Sequence, residues 1–332
     1  MNLHAAYEDA LENGPSEYTR NIVCKNSEYA YLYAKKIDQC PQRNTRKAAC
    51  EDPEHALLYA SEIDEYPRGD TRKGACKKPS CAYWYASEVD GCSREDTRKA
   101  ACKDPECAYM YARSIDKNSR EDTRKAACKD PKYAYFYASE VDKNPREDTR
   151  KVACENPEYA YKYALNVDKC SREDTREAAC ANPAFAYFYA LNVDKGPRED
   201  TREASCKDPF YAYAYAKEID KGPREDTREA TYEDPEYIYK YALNVDKHFR
   251  QDTRKAICSK SIEYTYLYAM HIDKGPREDT RKAVCGDPKY AYSYAQNIDK
   301  GFHEDTYNAV LNTEYERKYK KFIKNKIKEE II

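Results

Sequence analysis

Cysteine is the residue here most able to do chemistry, and ten of the 15 recur at one place in a periodic pattern: Cys24, Cys50, Cys76, Cys102, Cys128, Cys154, Cys180, Cys206, Cys258 and Cys285. Thiolates serve as nucleophiles and metal ligands. Stacked repeats would hold these sulfurs roughly 10 Å apart, beyond the ~7 Å Cα separation that a disulfide bridges. The column therefore reads as small buried thiols at a helix junction. The odd total favours a reducing, cytoplasmic setting. Cys76 with Cys81 and Cys102 with Cys107 give C-x4-C pairs, with Cys92 nearby, but no His or second close pair completes four ligands. No metal or cofactor is expected.

An ionic pattern runs alongside. Arg follows a periodic Thr from Arg20 to Arg281, Asp precedes that Thr from Asp70 onward, and another Asp, from Asp38 to Asp299, closes each unit. Asp at a helix C-terminus opposes the macrodipole, so a partner such as Arg124 for Asp142 is expected. The alternative is functional: Arg98, Arg124, Arg150 and Arg176, interleaved with Tyr109, Tyr135 and Tyr161, would grip phosphates or nucleic acid along a groove. Charge argues against it. With 58 Lys and Arg against 60 Asp and Glu, the net is −2, where nucleic-acid binders carry a basic footprint. Catalysis finds no machinery: the five His stand singly, and there is no G-x-S-x-G, no H-E-x-x-H and no phosphate-cradling glycine loop.

The elements that position these residues follow from the periodicity. Thr19, Thr45, Thr71, Thr97, Thr123, Thr149, Thr175, Thr201, Thr227 and Thr253 lie 26 residues apart. One extra residue in Ser259–Ile262 shifts the series to Thr280 and Thr306. The unit reads P-R-E-D-T-R-K-A-A-C-K-D-P-E-Y-A-Y-x-Y-A-x-x-(I/V)-D-K-G, which divides into two helices. The opening helix starts at Pro or Ser, and the closing helix at an Asp-Pro or Asn-Pro cap. The closing helix ends at Asp-Lys-Gly-Pro, where Gly is expected to take the left-handed cap. In unit five, Ala134, Tyr137, Ala138 and Val141 form one stripe, and Thr123, Ala126 and Ala127 a narrower one.

A hairpin of this size cannot bury both stripes alone, but a stack can. The fold class is therefore all-α, an α-solenoid of about twelve 26-residue helix-turn-helix units. Residues 1–14 read as a capping half-unit with Tyr7 and Leu11 buried. Eleven repeats follow at 15–40, 41–66, 67–92, 93–118, 119–144, 145–170, 171–196, 197–222, 223–248, 249–275 and 276–301. Residues 302–332 read as a degenerate unit and an amphipathic capping helix carrying Tyr315, Tyr319, Phe322, Ile323 and Ile327. With 35 Tyr, one Trp and near-neutral charge, composition fits neither disorder nor a thick-cored globule. No apolar run is long enough for a membrane span, and Met1–Gly14 has no signal-peptide core.

The segment Lys129–Ala138, K-D-P-K-Y-A-Y-F-Y-A, resembles tandem repeats of uncharacterised phage and bacterial proteins reading K-D-P-x-Y-A-Y-x-Y-A. It is similar, more loosely, to a bacterial family of short helix pairs reading A-A-V-K…A-L-x-Y-A-S-E. The resemblance covers about Pro15 to Thr306, and the D-T-R-K-A-A-C helix departs from both patterns. It implies a helical repeat fold and a phage setting, with an inhibitor of a host or defence protein as a matching role. It transfers no catalytic residue.

One position on the closing helix varies: Leu32, Leu58, Trp84, Met110, Phe136, Lys162, Phe188, Ala214, Lys240, Leu267, Ser293. Helical phase sets it opposite the buried stripe. Leu32, Leu58, Trp84, Met110, Phe136 and Phe188 are then the expected partner-binding residues, as exposed apolar patches mark interaction surfaces. The neighbouring pair changes from Ser-Glu (61–62, 87–88, 139–140) to Leu-Asn (165–166, 191–192, 243–244). A constant frame with a changing strip reads as a non-catalytic scaffold that binds a macromolecule, most simply a protein. Nucleic acid is the alternative, a further layer of packing is the reading without function, and no membrane role is expected.

Overall fold

The computed structural model describes residues 1–331, with side chains through Lys328. Among these residues the chain is all-α: twenty-five α-helices, eleven π-helical segments and no strand. It divides into two compact blocks, Met1–Lys169 and Cys170–Ile332. Each is an α-solenoid of hairpins stacked in chain order.

Unit five shows why the sequence folds this way. The opening helix, Glu121–Ala127, carries Glu121 and Asp122 in its first turn and Arg124 and Lys125 in its last, matching its dipole at both ends. The Asp122 carboxylate accepts the Thr123 N–H at 2.9 Å. After a tight turn, Asp130 caps the closing helix by accepting the N–H groups of Lys132 (2.8 Å) and Tyr133 (3.3 Å), with Pro131 in its first turn. Thr123, Ala126 and Ala127 are buried, as are Ala134, Tyr137 and Ala138. Tyr135 is buried too, while Val141 is only half-buried against the cluster.

The closing helix departs from simple α phase. It is α from Pro131 to Phe136 and then widens into a π-helix, Tyr137–Asp142. In an α-helix Asp142 would stand about 140° round from Tyr137 at 100° per residue. The wider turn advances less per residue and swings the carboxylate onto the buried side. The left-handed cap also falls elsewhere than on the expected glycine. Lys117, Lys143, Lys169, Lys195, Lys221, Lys247, Lys274 and Lys300 adopt φ between 51° and 58°, and in this register only unit three has a glycine, Gly91. The π turn ends on Asp, so the reversal falls on the next residue. The glycine after it instead closes the turn through its N–H, as Gly196 does to the Ala190 carbonyl at 3.2 Å.

Both caps fold as helices with adjusted faces. The leader helix Leu3–Asn13 buries Ala6 and Ala10, not Tyr7 and Leu11; Tyr7 is half-buried and Leu11 is 49 % exposed. Small residues let this helix approach Val23 and Tyr33 closely, and Tyr7 is left at the edge against Tyr29, 5.7 Å between ring centroids. At the other end, the helix Glu314–Ile331 buries Tyr319 completely, with Tyr315, Phe322 and Ile323 packed around it and Ile327 exposed.

Candidate binding surface

Two tyrosines of the repeat make distinct hydrogen bonds. The fully buried one, Tyr137 in unit five, sends its hydroxyl to the start of its own hairpin. It accepts the Arg120 N–H at 3.0 Å, lies 3.1 Å from the Arg120 carbonyl and pairs with Thr123 Oγ1 at 2.8 Å. The hydroxyl thus satisfies an N–H at the helix start that has no intrahelical partner. Eleven units make this Thr–Tyr pair, at 2.8–3.0 Å. The strict recurrence of Thr is thereby explained, as is the use of Tyr rather than Phe.

Two residues earlier, a second tyrosine binds the next unit. Tyr135 accepts from Asn166 Nδ2 at 2.9 Å, Tyr213 from Asn244 at 3.0 Å and Tyr266 from Asn297 at 2.9 Å. Tyr31 donates to Glu62, Tyr187 donates to Glu218, and Tyr239 meets His271 at 2.7 Å. Burial, with the hydrogen bond to Glu140, pushes the Tyr109 phenol up to about 12. The change from Ser-Glu to Leu-Asn therefore includes a hydrogen-bond partner between units. Sequence reasoning missed this clasp. Its signal was a position before the final Ile/Val-Asp that is polar in all eleven repeats, 31 or 32 residues after the tyrosine it meets.

The Arg–Asp pairing forms within and across units. Arg46 reaches Asp64 at 2.8 Å, Arg202 reaches Asp220 at 3.0 Å and Arg281 reaches Asp299 at 2.7 Å within one unit. Arg98 reaches Asp122 (2.8 Å), Arg124 reaches Asp148 (3.0 Å) and Arg176 reaches Asp200 (2.6 Å) in the next unit. Arg150 lies 3.4 Å from Asp168. Units opening with Ser tilt the Arg: Arg124 donates to Ser119 Oγ at 2.9 Å, and that hydroxyl donates to Asp142 at 2.5 Å. The expected interleaving with Tyr109 and Tyr135 is not what the structure shows. Where an arginine of this column lies over a tyrosine ring, the ring is of the Tyr137 type, as Arg202 over Tyr215 at 5.7 Å. The Tyr135 type points to the neighbouring closing helix.

One Asp from each column shows opposite titration. Burial raises Asp142, with the Ser119 and Arg124 contacts only partly offsetting it, and Asp142 Oδ2 receives no hydrogen bond. The Arg250 hydrogen bond holds Asp252 down at about 2. A raised carboxyl contributes its stability below the unfolded value of about 3.9 and loses it as pH rises through the folded value; a lowered one contributes above about 3.9 and loses it on acidification. Asp142→Asn is therefore expected to raise the melting temperature at pH 7, and the gain to vanish below about pH 4. Asp252→Asn is expected to lower it at pH 7 and to converge with the parent toward pH 2. Thermal melts across pH check both signs.

The variable strip is more deeply set than its phase suggested. Leu32 and Leu58 pack on one cluster with Tyr31 and Tyr59, Met110 and Phe136 on another with Tyr109 and Tyr137, and Phe188 on a third with Tyr187. All five are half-buried. Neighbouring closing helices lie side by side, so this position fills the groove between them: Phe136 stacks on Tyr109 with centroids 5.7 Å apart. Trp84 is the exception. It is 46 % exposed, and its ring stands edge-on to Tyr83 at 5.0 Å.

Cysteine chemistry is muted. Burial pushes the thiols of Cys102, Cys128 and Cys180 up to about 11, and Cys50 and Cys206 to about 12, the opposite of reactive thiolates. Among the described residues no three His, Cys, Asp or Glu converge as a metal requires, the Cys76–Cys81 and Cys102–Cys107 spacings included. None of the described helices is long and apolar enough to cross a membrane. Compared with family models, curated proteins and solved structures, the chain matches none.

Proposed function

We propose that the chain is a non-catalytic scaffold that binds a protein partner through the closing-helix face of the block Met1–Lys169, with Trp84 as anchor. One observation carries this: the chain's single Trp projects into solvent at a position where Leu58 and Met110, one unit before and after it, are tucked into the groove. Exposed Trp on a rigid frame is the residue type that dominates interface energies. The rival nucleic-acid reading gains no support from arginines already held by carboxylates. Fifteen cysteines with none paired in a disulfide favour residence in a reducing compartment such as the cytoplasm.

Substituting Met110 and Phe136 would disturb core packing, so Trp84→Ser is the clean variant. Capture from native cell extract, read by mass spectrometry, is expected to recover a protein with the parent chain and at least tenfold less with Trp84→Ser, at unchanged melting temperature. Equal recovery by the variant overturns the site.

A further inference from the structure

One tyrosine clasp is missing from the block Met1–Lys169, and the gap falls beside Trp84. Where a clasp tyrosine is followed 31 residues later by glutamate, the carboxylate is held. Tyr31 and Lys35 (2.6 Å) hold Glu62, Tyr109 and Arg113 (2.8 Å) hold Glu140, and Tyr187 holds Glu218. Unit two carries Leu57 in the tyrosine's place, packed against Ala60, Ala75, Cys81 and Tyr85. It offers no hydroxyl to Glu88, the residue 31 further on. Among the described residues no hydrogen bond or ion pair reaches the exposed Glu88 side chain. The other three glutamates of this register are all engaged.

Trp84 stands four residues before Glu88 on the same closing helix, and side chains at that spacing share a helix face. The indole is nearly half exposed and touches Tyr83 edge-on. An aromatic surface and a carboxylate with no internal partner therefore face solvent together. An apolar side chain docked there would cover the ring and leave the carboxylate desolvated at a cost. A guanidinium satisfies both groups: it stacks over an indole, the best of the aromatic faces for a cation, and it forks onto a carboxylate through two parallel N–H bonds. An ammonium lacks the planar fork.

We propose that the partner inserts an arginine here, its guanidinium over Trp84 and paired with Glu88. This rests on Trp84 being the anchor and adds the chemistry of what docks on it. Trp84 is the chain's single tryptophan, so its indole emission reports on this site. Titration of the full chain with the amides of tetra-arginine, tetra-lysine and tetra-citrulline, in about 50 mM salt, tests the pairing. Tetra-arginine is expected to change the emission saturably and to bind more tightly than tetra-lysine, while neutral tetra-citrulline gives no response. Glu88→Gln, at an exposed position without an internal partner, should keep the melting temperature and weaken tetra-arginine at least tenfold; Glu62→Gln should match the parent. Equal affinity in Glu88→Gln, a response to tetra-citrulline, or tetra-lysine binding as tightly as tetra-arginine overturns the arginine assignment. Partner capture lost with Trp84→Ser but kept with Glu88→Gln sinks this pairing alone, whereas capture kept with Trp84→Ser sinks the anchor itself.

Discussion

Tyr137→Ala is expected to destabilise its hairpin by about 3–5 kcal/mol, the range for deleting a buried aromatic side chain. Tyr137 is fully buried and wedged among Ala127 of its own hairpin and Tyr109 and Ala112 of the preceding unit, so the hole opens at an interface between units. Tyr137→Phe isolates the hydroxyl. It keeps the ring and strands the Arg120 N–H, which accounts for about 1–3 kcal/mol of lost stability. Thr123→Val costs less, about 1 kcal/mol, because the hydroxyl of Tyr137 still reaches both backbone atoms of Arg120. Unit ten already lives with a weakened version: its extra residue leaves the Tyr268 hydroxyl 3.2 Å from the N and O of Arg250, and Thr253 Oγ1 faces Asp252 at 3.5 Å. Because stability in a stack is largely a sum over neighbours, amide exchange is the measurement to make. Faster exchange confined to units four to six supports the assignment; a Phe variant indistinguishable from the parent refutes the capping role.

The second large effect belongs to Arg228. Its guanidinium donates to Asp246 through Nε at 3.2 and 3.1 Å and through Nη2 at 2.7 Å, with side chains only 7 % and 0 % exposed. It also lies over the Tyr241 ring at 5.6 Å. Arg228→Met leaves a carboxylate buried without its cation, a change worth about 3–5 kcal/mol. The double replacement Arg228→Met/Asp246→Leu removes the charge as well and is expected to recover most of that loss, since apolar substitutes for buried pairs are often neutral or better. A denaturation cycle over the four proteins measures the coupling. Additive losses would show that the two side chains act separately.

Much of this was legible in the letters, and the limits are physical. Thr at fixed spacing, Asp-Pro and Asn-Pro starts and Ala-Tyr stripes give helical hairpins and their stacking directly. The Arg–Asp pairing also follows, from the mismatch of Asp with a helix C-terminus. Phase failed where it assumed 100° per residue to the end. The π turn after Phe136 moves Asp142 inward and puts the left-handed cap on Lys143. The strip failed for a different reason. A helix in a stack has neighbours on both flanks, so a position opposite the first buried stripe, such as Phe136, fills the groove to the next helix. Trp84 alone keeps the exposure that phase assigns to the whole column. Asn166 and Glu62 read as part of a changing binding strip because their partners, Tyr135 and Tyr31, belong to the hairpin before.

The hydroxyl locks close inside one hairpin, and the clasps reach only to the next. Under mechanical tension a chain fastened by such local ties is expected to yield one hairpin at a time. Each rip would release about 90 Å of slack, 26 residues at ~3.3–3.6 Å apiece, and the ratchet resets when the pull relaxes because each hairpin carries its own fastening.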